Sequence, residues 1–132
     1  MKTKSALIIA IIMLLPVLGM AQEGATITVD DIQICTGVQE RQPVGAGEAF
    51  ARDIGQLYCF TKLSAGQDSA SVSHVWYYND KETLKVALNM GAKTWRTWSV
   101  KQIPNTMTGQ WRVDVVAVDG AVLTSKAFTI NE

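Results

Sequence analysis

Beyond an apolar run at the N-terminus, apolar and polar positions alternate along the chain in short segments with a period of two. That period belongs to strands, whose successive side chains point to opposite faces. Ile32–Thr36 alternates cleanly. Leu57–Leu63 is dense in aromatic and apolar residues and predicts a largely buried strand. Val72–Tyr78 is the next segment, and Leu84, Val86 and Leu88 alternate with Lys85 and Ala87. Thr94–Val100, Trp111–Val118 and Val122–Ile130 complete the set. Turn chemistry separates them: Asn79-Asp80-Lys81, Asn89–Lys93 around Gly91, Pro104–Gly109 and Asp119-Gly120. Hairpins are therefore predicted for Val72–Leu88 and Trp111–Ile130. Residues 22–31 read as a flexible N-terminal segment in which Thr26–Val29 pairs weakly. Arg41–Gly55 reads as a connection without a clear period. About seven short strands and no amphipathic helix predict one all-β domain over residues 32–131. Its expected architecture is an immunoglobulin-like antiparallel β-sandwich, with a small barrel as the alternative.

The period also assigns faces. His74 and Trp76 share one, Arg96 and Trp98 share one, and Trp95 and Trp98 lie on opposite sides. Leu123 and Phe128 conflict, because both are large and apolar yet differ in parity. A bulge near Ser125 and Lys126 is favoured over burial on both faces.

The N-terminal run has a different logic. Lys2 and Lys4 precede an apolar stretch from Ala6 to Leu18, followed by Gly19-Met20-Ala21. This is the layout of a secretory signal peptide over residues 1–21, with cleavage expected after Ala21. The stretch is shorter than the ~20 residues of a spanning helix. An uncleaved membrane anchor is the alternative. The mature domain is expected in the periplasm or outside the cell, and not spanning the membrane. Cys35 and Cys59 are the chain's two cysteines, and export places them in an oxidising compartment. A structural disulfide is expected; it would close a loop of about 25 residues and stabilise by roughly 3 kcal/mol. Free or reactive thiols are the alternative. With one histidine and no C-x-x-C, a zinc site lacks ligands.

Composition narrows function by exclusion. The chain has 132 residues, 48% of them hydrophobic, and twelve basic against twelve acidic side chains. That length excludes a large multidomain enzyme, and the hydrophobic share excludes long disorder. Zero formal net charge gives no reason to expect a nucleic-acid partner. No cofactor fingerprint is present. His74 lacks a G-x-S-x-G elbow, and no acidic pair stands out as catalytic. The more suggestive set interleaves aromatics with cations: His74, Trp76, Arg96, Trp98 and Arg112. On an exposed face such side chains stack sugar rings or grip a carboxylate; inside, they are a tryptophan-rich core rimmed by arginine. Those five are the candidate ligand-binding residues, and none is assigned a catalytic or metal-binding role.

Several motifs occur together in a recognisable order. Ile34-Cys35-Thr36-Gly37-Val38 and Arg41-x-Pro43-Val44 precede Leu57-Tyr58-Cys59-Phe60-Thr61. His74-Val75-Trp76-Tyr77-Tyr78, Trp95-Arg96-Thr97-Trp98-Ser99 and Thr108-Gly109-Gln110-Trp111-Arg112-Val113 follow, then Leu123…Phe128-Thr129-Ile130. From Ile32 to Ile130 the sequence resembles the bacterial domain-of-unknown-function family 2914 (DUF2914). The resemblance implies a small all-β domain of exported or membrane-attached proteins and supplies no catalytic residue. It also makes Cys35 and Cys59 corresponding positions in cysteine-bearing relatives. The expected role is a non-enzymatic binding or interaction module of the cell envelope, with a protein or polysaccharide partner. A small envelope hydrolase or transferase using His74 or a carboxylate pair is the alternative.

Overall fold

The computed structural model describes residues 26–67 and 69–132. The expected signal peptide and residues 22–25 lie outside the described residues. Ten strands follow one another: β1 (Ile27–Cys35), β2 (Gly37–Gln39), β3 (Gln42–Val44), β4 (Ala49–Phe50), β5 (Gly55–Ala65), β6 (Ser71–Tyr78), β7 (Lys81–Asn89), β8 (Thr94–Ile103), β9 (Gly109–Ala117) and β10 (Val122–Ile130). They form a three-stranded sheet in the order β1-β5-β8, a five-stranded sheet in the order β4-β10-β9-β6-β7, and the small β2–β3 hairpin. Pairing is antiparallel except between β4 and β10, which run parallel. No described helix is long and apolar enough to cross a membrane.

The two larger sheets bury one face each against the other. One apolar cluster contains Ile34, Leu57 and Cys59 from the first sheet and Trp76, Trp111, Val113, Phe128 and Ile130 from the second. Phe128 is its hub. Its ring stacks on Trp111 at 5.9 Å and meets the edges of Trp76 and Phe50 at 6.1 and 6.2 Å. A second cluster, at the other end, joins Leu63, Val72, Met90 and Val115, with Trp95 and Leu123 packed against it.

The two predicted hairpins are present. Asn79 and Asp80 take positive φ of 49° and 65° between β6 and β7, a left-handed pair that these two residue types tolerate. The predicted bulge is present too, but earlier than expected. The β9–β10 register shifts between Val122 and Thr124, so Leu123 is the extra residue. Leu123 packs on the second cluster and Phe128 enters the first, which resolves the parity conflict. The N-terminal boundary moves as well. β1 begins at Ile27, and Ile27, Thr28, Val29 and Asp31 are paired with β5 instead of hanging free, with a register shift at Asp30.

Three short strands go beyond the sequence expectation: β2 just before the expected connection, and β3 and β4 within it. β2 and β3 are three residues each, and their turn, Glu40-Arg41, has φ of 50° and 62° without any glycine or asparagine. Gly45 closes this hairpin onto β1 with φ of 72°. A Cβ there would collide with the Thr36 hydroxyl, which hydrogen-bonds Val44 O at 3.1 Å. Gly45→Ala is therefore expected to cost about 2 kcal/mol, the left-handed penalty plus the displaced threonine. A urea midpoint equal to wild type contradicts this.

The expected disulfide is absent: both cysteines are free and buried. The register gives the reason. Cys59 lies opposite Ile34, while Cys35 lies opposite Tyr58. The two are one position out of step on adjacent strands, so the pleat directs them to opposite faces. Cys59 joins the inter-sheet cluster. Burial raises its thiol pKa far above the ordinary range, and the neighbouring Cys35 thiol adds to this. The Cys35 thiol is also raised by burial, partly offset by the backbone amides of Gly37 and Val44. Protonated, buried thiols of this kind are poor nucleophiles.

Candidate functional site

The structure distributes the five candidate residues over three places. His74 and Trp76 point inward from β6 and have no exposure. Arg96 and Trp98 lie on the outer face of the three-stranded sheet. Arg112 lies on the outer face of the five-stranded sheet, so the five do not make one surface.

The inward pair holds a closed polar chain between the sheets. Thr61 on β5 donates its hydroxyl to Thr97 O at 3.1 Å, leaving its oxygen to accept from His74 Nε2 at 3.1 Å. Trp76 Nε1–H donates to Ser99 Oγ at 3.0 Å, and the serine hydroxyl then donates to His74 Nδ1 at 2.7 Å. These partners assign a neutral imidazole protonated at Nε2, with every ring nitrogen satisfied. No charged group takes part in this chain of hydrogen bonds. Burial pushes the His74 pKa down to about 4, because an imidazolium here would lose its water without gaining a carboxylate. A serine and a histidine in contact suggest a nucleophile and its base. Here Ser99 is 4% and His74 0% exposed, both between the sheets. Chemically, the arrangement ties β5, β6 and β8 together.

Arg112 sits in a second polar cluster. Its guanidinium lies 4.1 Å from the Tyr77 ring and is clamped by Asp114 at 3.0 Å and by Asp80. The hydrogen bond to Asp114 is the main reason its pKa is raised. Asp114 is itself buried and also accepts from Ser125 Oγ at 2.6 Å. A groove of about 420 Å³ opens beside them, lined by Tyr77, Asp80, Gln110 and Arg112 among others. Two carboxylates already occupy the arginine, so its capacity to grip an external anion is largely spent.

The outer face of the three-stranded sheet is different. Residues alternating with the inward Leu57, Cys59, Thr61 and Leu63 are Tyr58, Phe60 and Lys62; across from them β8 places Val100, Trp98 and Arg96. Phe60 and Trp98 are direct partners, stacked at 6.5 Å with planes 14° apart. Phe60 is buried although it faces away from the other sheet, whereas Trp98 keeps part of its surface and Val100 is 38% exposed. Sequence parity correctly paired Arg96 with Trp98 but missed Tyr58 and Lys62. Their place beside Trp98 depends on a register between strands about 35 residues apart, for which the sequence carries no signal. Ser99 had one: it is a polar residue at an inward position of a mostly apolar sheet.

Residues 69–130 match the model of a family described as "Protein of unknown function (DUF2914)". The resemblance in the sequence therefore holds over β6–β10, and the match leaves β1–β5 outside. No curated protein matches the chain. Among solved structures, a Bifidobacterium adolescentis GH3 beta-glucosidase is similar at a TM-score of 0.46 and 8% identity, over 82% of this chain and 17% of that one. A beta-glucosidase from Kluyveromyces marxianus is similar at 0.45 and 9%, over 82% and 14%. The chain thus spans about a sixth of those enzymes' length, and likeness at this level carries no argument about activity.

Proposed function

We propose that the chain is an exported binding module of the bacterial cell envelope, without catalytic activity of its own. Its partner, an envelope polysaccharide or protein, lies on the outer face of the three-stranded sheet. One observation carries this reading. Tyr58, Phe60, Trp98 and Val100 form an aromatic and apolar strip on the side of the sheet that faces away from the core. Phe60 is covered there, but Trp98 stacks on it and keeps part of its own surface, a large aromatic side chain outside the inter-sheet core. Rigid aromatic side chains are also economical contact residues, because few rotamers are lost on binding. The apolar run from Ala6 to Leu18 supports export. Against the hydrolase alternative, the Ser99–His74 pair offers a substrate no route between the sheets.

The test is a glycan array together with a panel of purified envelope proteins, probed with the exported protein. Trp98→Ala is expected to weaken retention of the captured ligand by roughly tenfold or more, a loss of ~1.4 kcal/mol. Circular dichroism must show the variant folded. A folded Trp98→Ala that binds as wild type overturns the assignment of this face.

A further inference from the structure

One corner of the outer face collects cations. Lys62 on β5 and Arg96 on β8 are direct cross-strand partners. Leu63 and Trp95, the next pair, pack into the second core cluster, so the pleat turns Lys62 and Arg96 outward together. Directly opposed residues have Cβ atoms ~5 Å apart, and like charges at that spacing destabilise the pair. The β2–β3 turn brings a third cation to the adjoining edge of β8. Arg41 Nη2 donates to Arg96 O at 3.1 Å, and its guanidinium lies 4.9 Å from the Trp95 ring. Among the described residues the ion pairs are Arg112 with Asp80 and Asp114, and Lys126 with Glu48; none involves Arg41, Lys62 or Arg96. The acid nearest by register is Asp31, Lys62's partner on β1, and its carboxylate accepts from Gln33 Nε2 at 2.8 Å. Trp98 is two residues from Arg96 on the same face, about 7 Å along the strand.

We infer that this corner binds an anionic polysaccharide. A sugar ring rests on Trp98, and Lys62, Arg96 and Arg41 hold the carboxylate or sulfate of the adjacent unit. The inference rests on the binding face proposed above and adds the ligand's charge. Two opposed cations cost the sheet stability, and an anion between them removes that cost. Two of the three are guanidinium groups, which match a carboxylate or sulfate by paired donors. Trp98, partly exposed beside them, supplies a stacking partner that a sugar ring uses and a compact ion does not. Zero net charge does not oppose this, since at physiological salt a charge is felt over only ~8 Å.

The experiment measures binding of the exported protein to polygalacturonate, its methyl-esterified neutral form, dextran sulfate, dextran and phosphatidylglycerol vesicles. Wild type is compared with a Lys62→Gln/Arg96→Gln double variant, Trp98→Ala, and Lys85→Gln on the other sheet as control. Wild type is expected to bind at least one of the two acidic polymers roughly tenfold tighter than its neutral counterpart. Which acidic polymer wins tells carboxylate from sulfate, and raised salt should erase the preference. The double variant should lose the preference, and Lys85→Gln should keep it. Because the double variant also removes a like-charge pair, its urea midpoint should be no lower than wild type, which separates lost binding from lost folding. Equal binding to charged and neutral polymers, lost in Trp98→Ala, overturns the anionic inference and leaves the binding face standing. Retention on vesicles alone, on no polymer, or undiminished in the double variant overturns it as well.

Discussion

Trp76→Ala is expected to lower the stability of the folded chain by about 4 kcal/mol, the largest loss of any single change considered. Trp76 is fully buried and meets Phe128 edge to face at 6.1 Å. Truncation opens a cavity at the hub of the first cluster, where stacked and edge-on rings leave little room for relaxation. It also removes the indole N–H that donates to Ser99 Oγ. Trp76→Phe separates these contributions. It keeps most of the ring volume and deletes only the donor, so about 1–2 kcal/mol should be lost. Urea unfolding followed by circular dichroism measures both. A Trp76→Ala cost under about 1 kcal/mol would mean that the residue is not in the core at all. For a domain with 5–15 kcal/mol in hand, the expected loss leaves a small margin.

The second large effect is a pH dependence. His74 has a folded pKa of about 4 against an ordinary 6.5. The buried neutral ring binds fewer protons than the same ring in the unfolded chain. Stability is therefore complete above about pH 6.5 and falls as pH drops from there towards 4. The full loss is about 3 kcal/mol, from a difference of roughly two and a half pKa values at 1.36 kcal/mol each. His74 is the chain's only histidine. Between pH 5 and 6.5 the slope should thus approach uptake of one proton on unfolding, with little contribution from other groups. His74→Gln should flatten that window while costing about 2 kcal/mol at pH 7, because Ser99 and Thr61 lose their partner. A wild-type curve that is level from pH 7 to 5 would mean an accessible, ordinary histidine. That result would reopen the case for catalysis.

Much of the fold was legible because its signals are local. Alternation in Leu84–Leu88 and the turn residues Asn79-Asp80 specify the β6–β7 hairpin without reference to the rest of the chain. Asp119-Gly120 does the same for β9–β10. Local signals fail where the determinant is distant. Glu40-Arg41 turns the chain with left-handed residues that lack the usual turn chemistry, and the strands beside it are too short to show a period. A bridge is expected from the sequence because both cysteines occupy strands and the N-terminal run reads as an export signal. Whether they meet depends on register, and a single residue of offset sends them apart.

The candidate site shows the same division. Parity correctly grouped His74 with Trp76 and Arg96 with Trp98. It does not say which side of a sheet is covered, and here one pair is inside and the other outside. That choice follows from the partner sheet: Trp76 faces Phe128 and Ser99, while Trp98 stacks on Phe60 on the other side and keeps part of its surface exposed. Arg41 and Lys62 join the corner through pairings that span up to 55 residues. No window of sequence contains them together.

The most direct test of the division between core and binding face uses the four tryptophan indole N–H resonances of ¹⁵N-labelled protein, titrated with galacturonate oligosaccharides. Trp98 should shift and broaden, Trp95 should respond through its contact with Arg41, and Trp76 and Trp111 should stay still. Movement of the Trp76 or Trp111 signal with Trp98 unchanged would contradict the account, because the residues assigned to the core would then be the ones that meet the ligand.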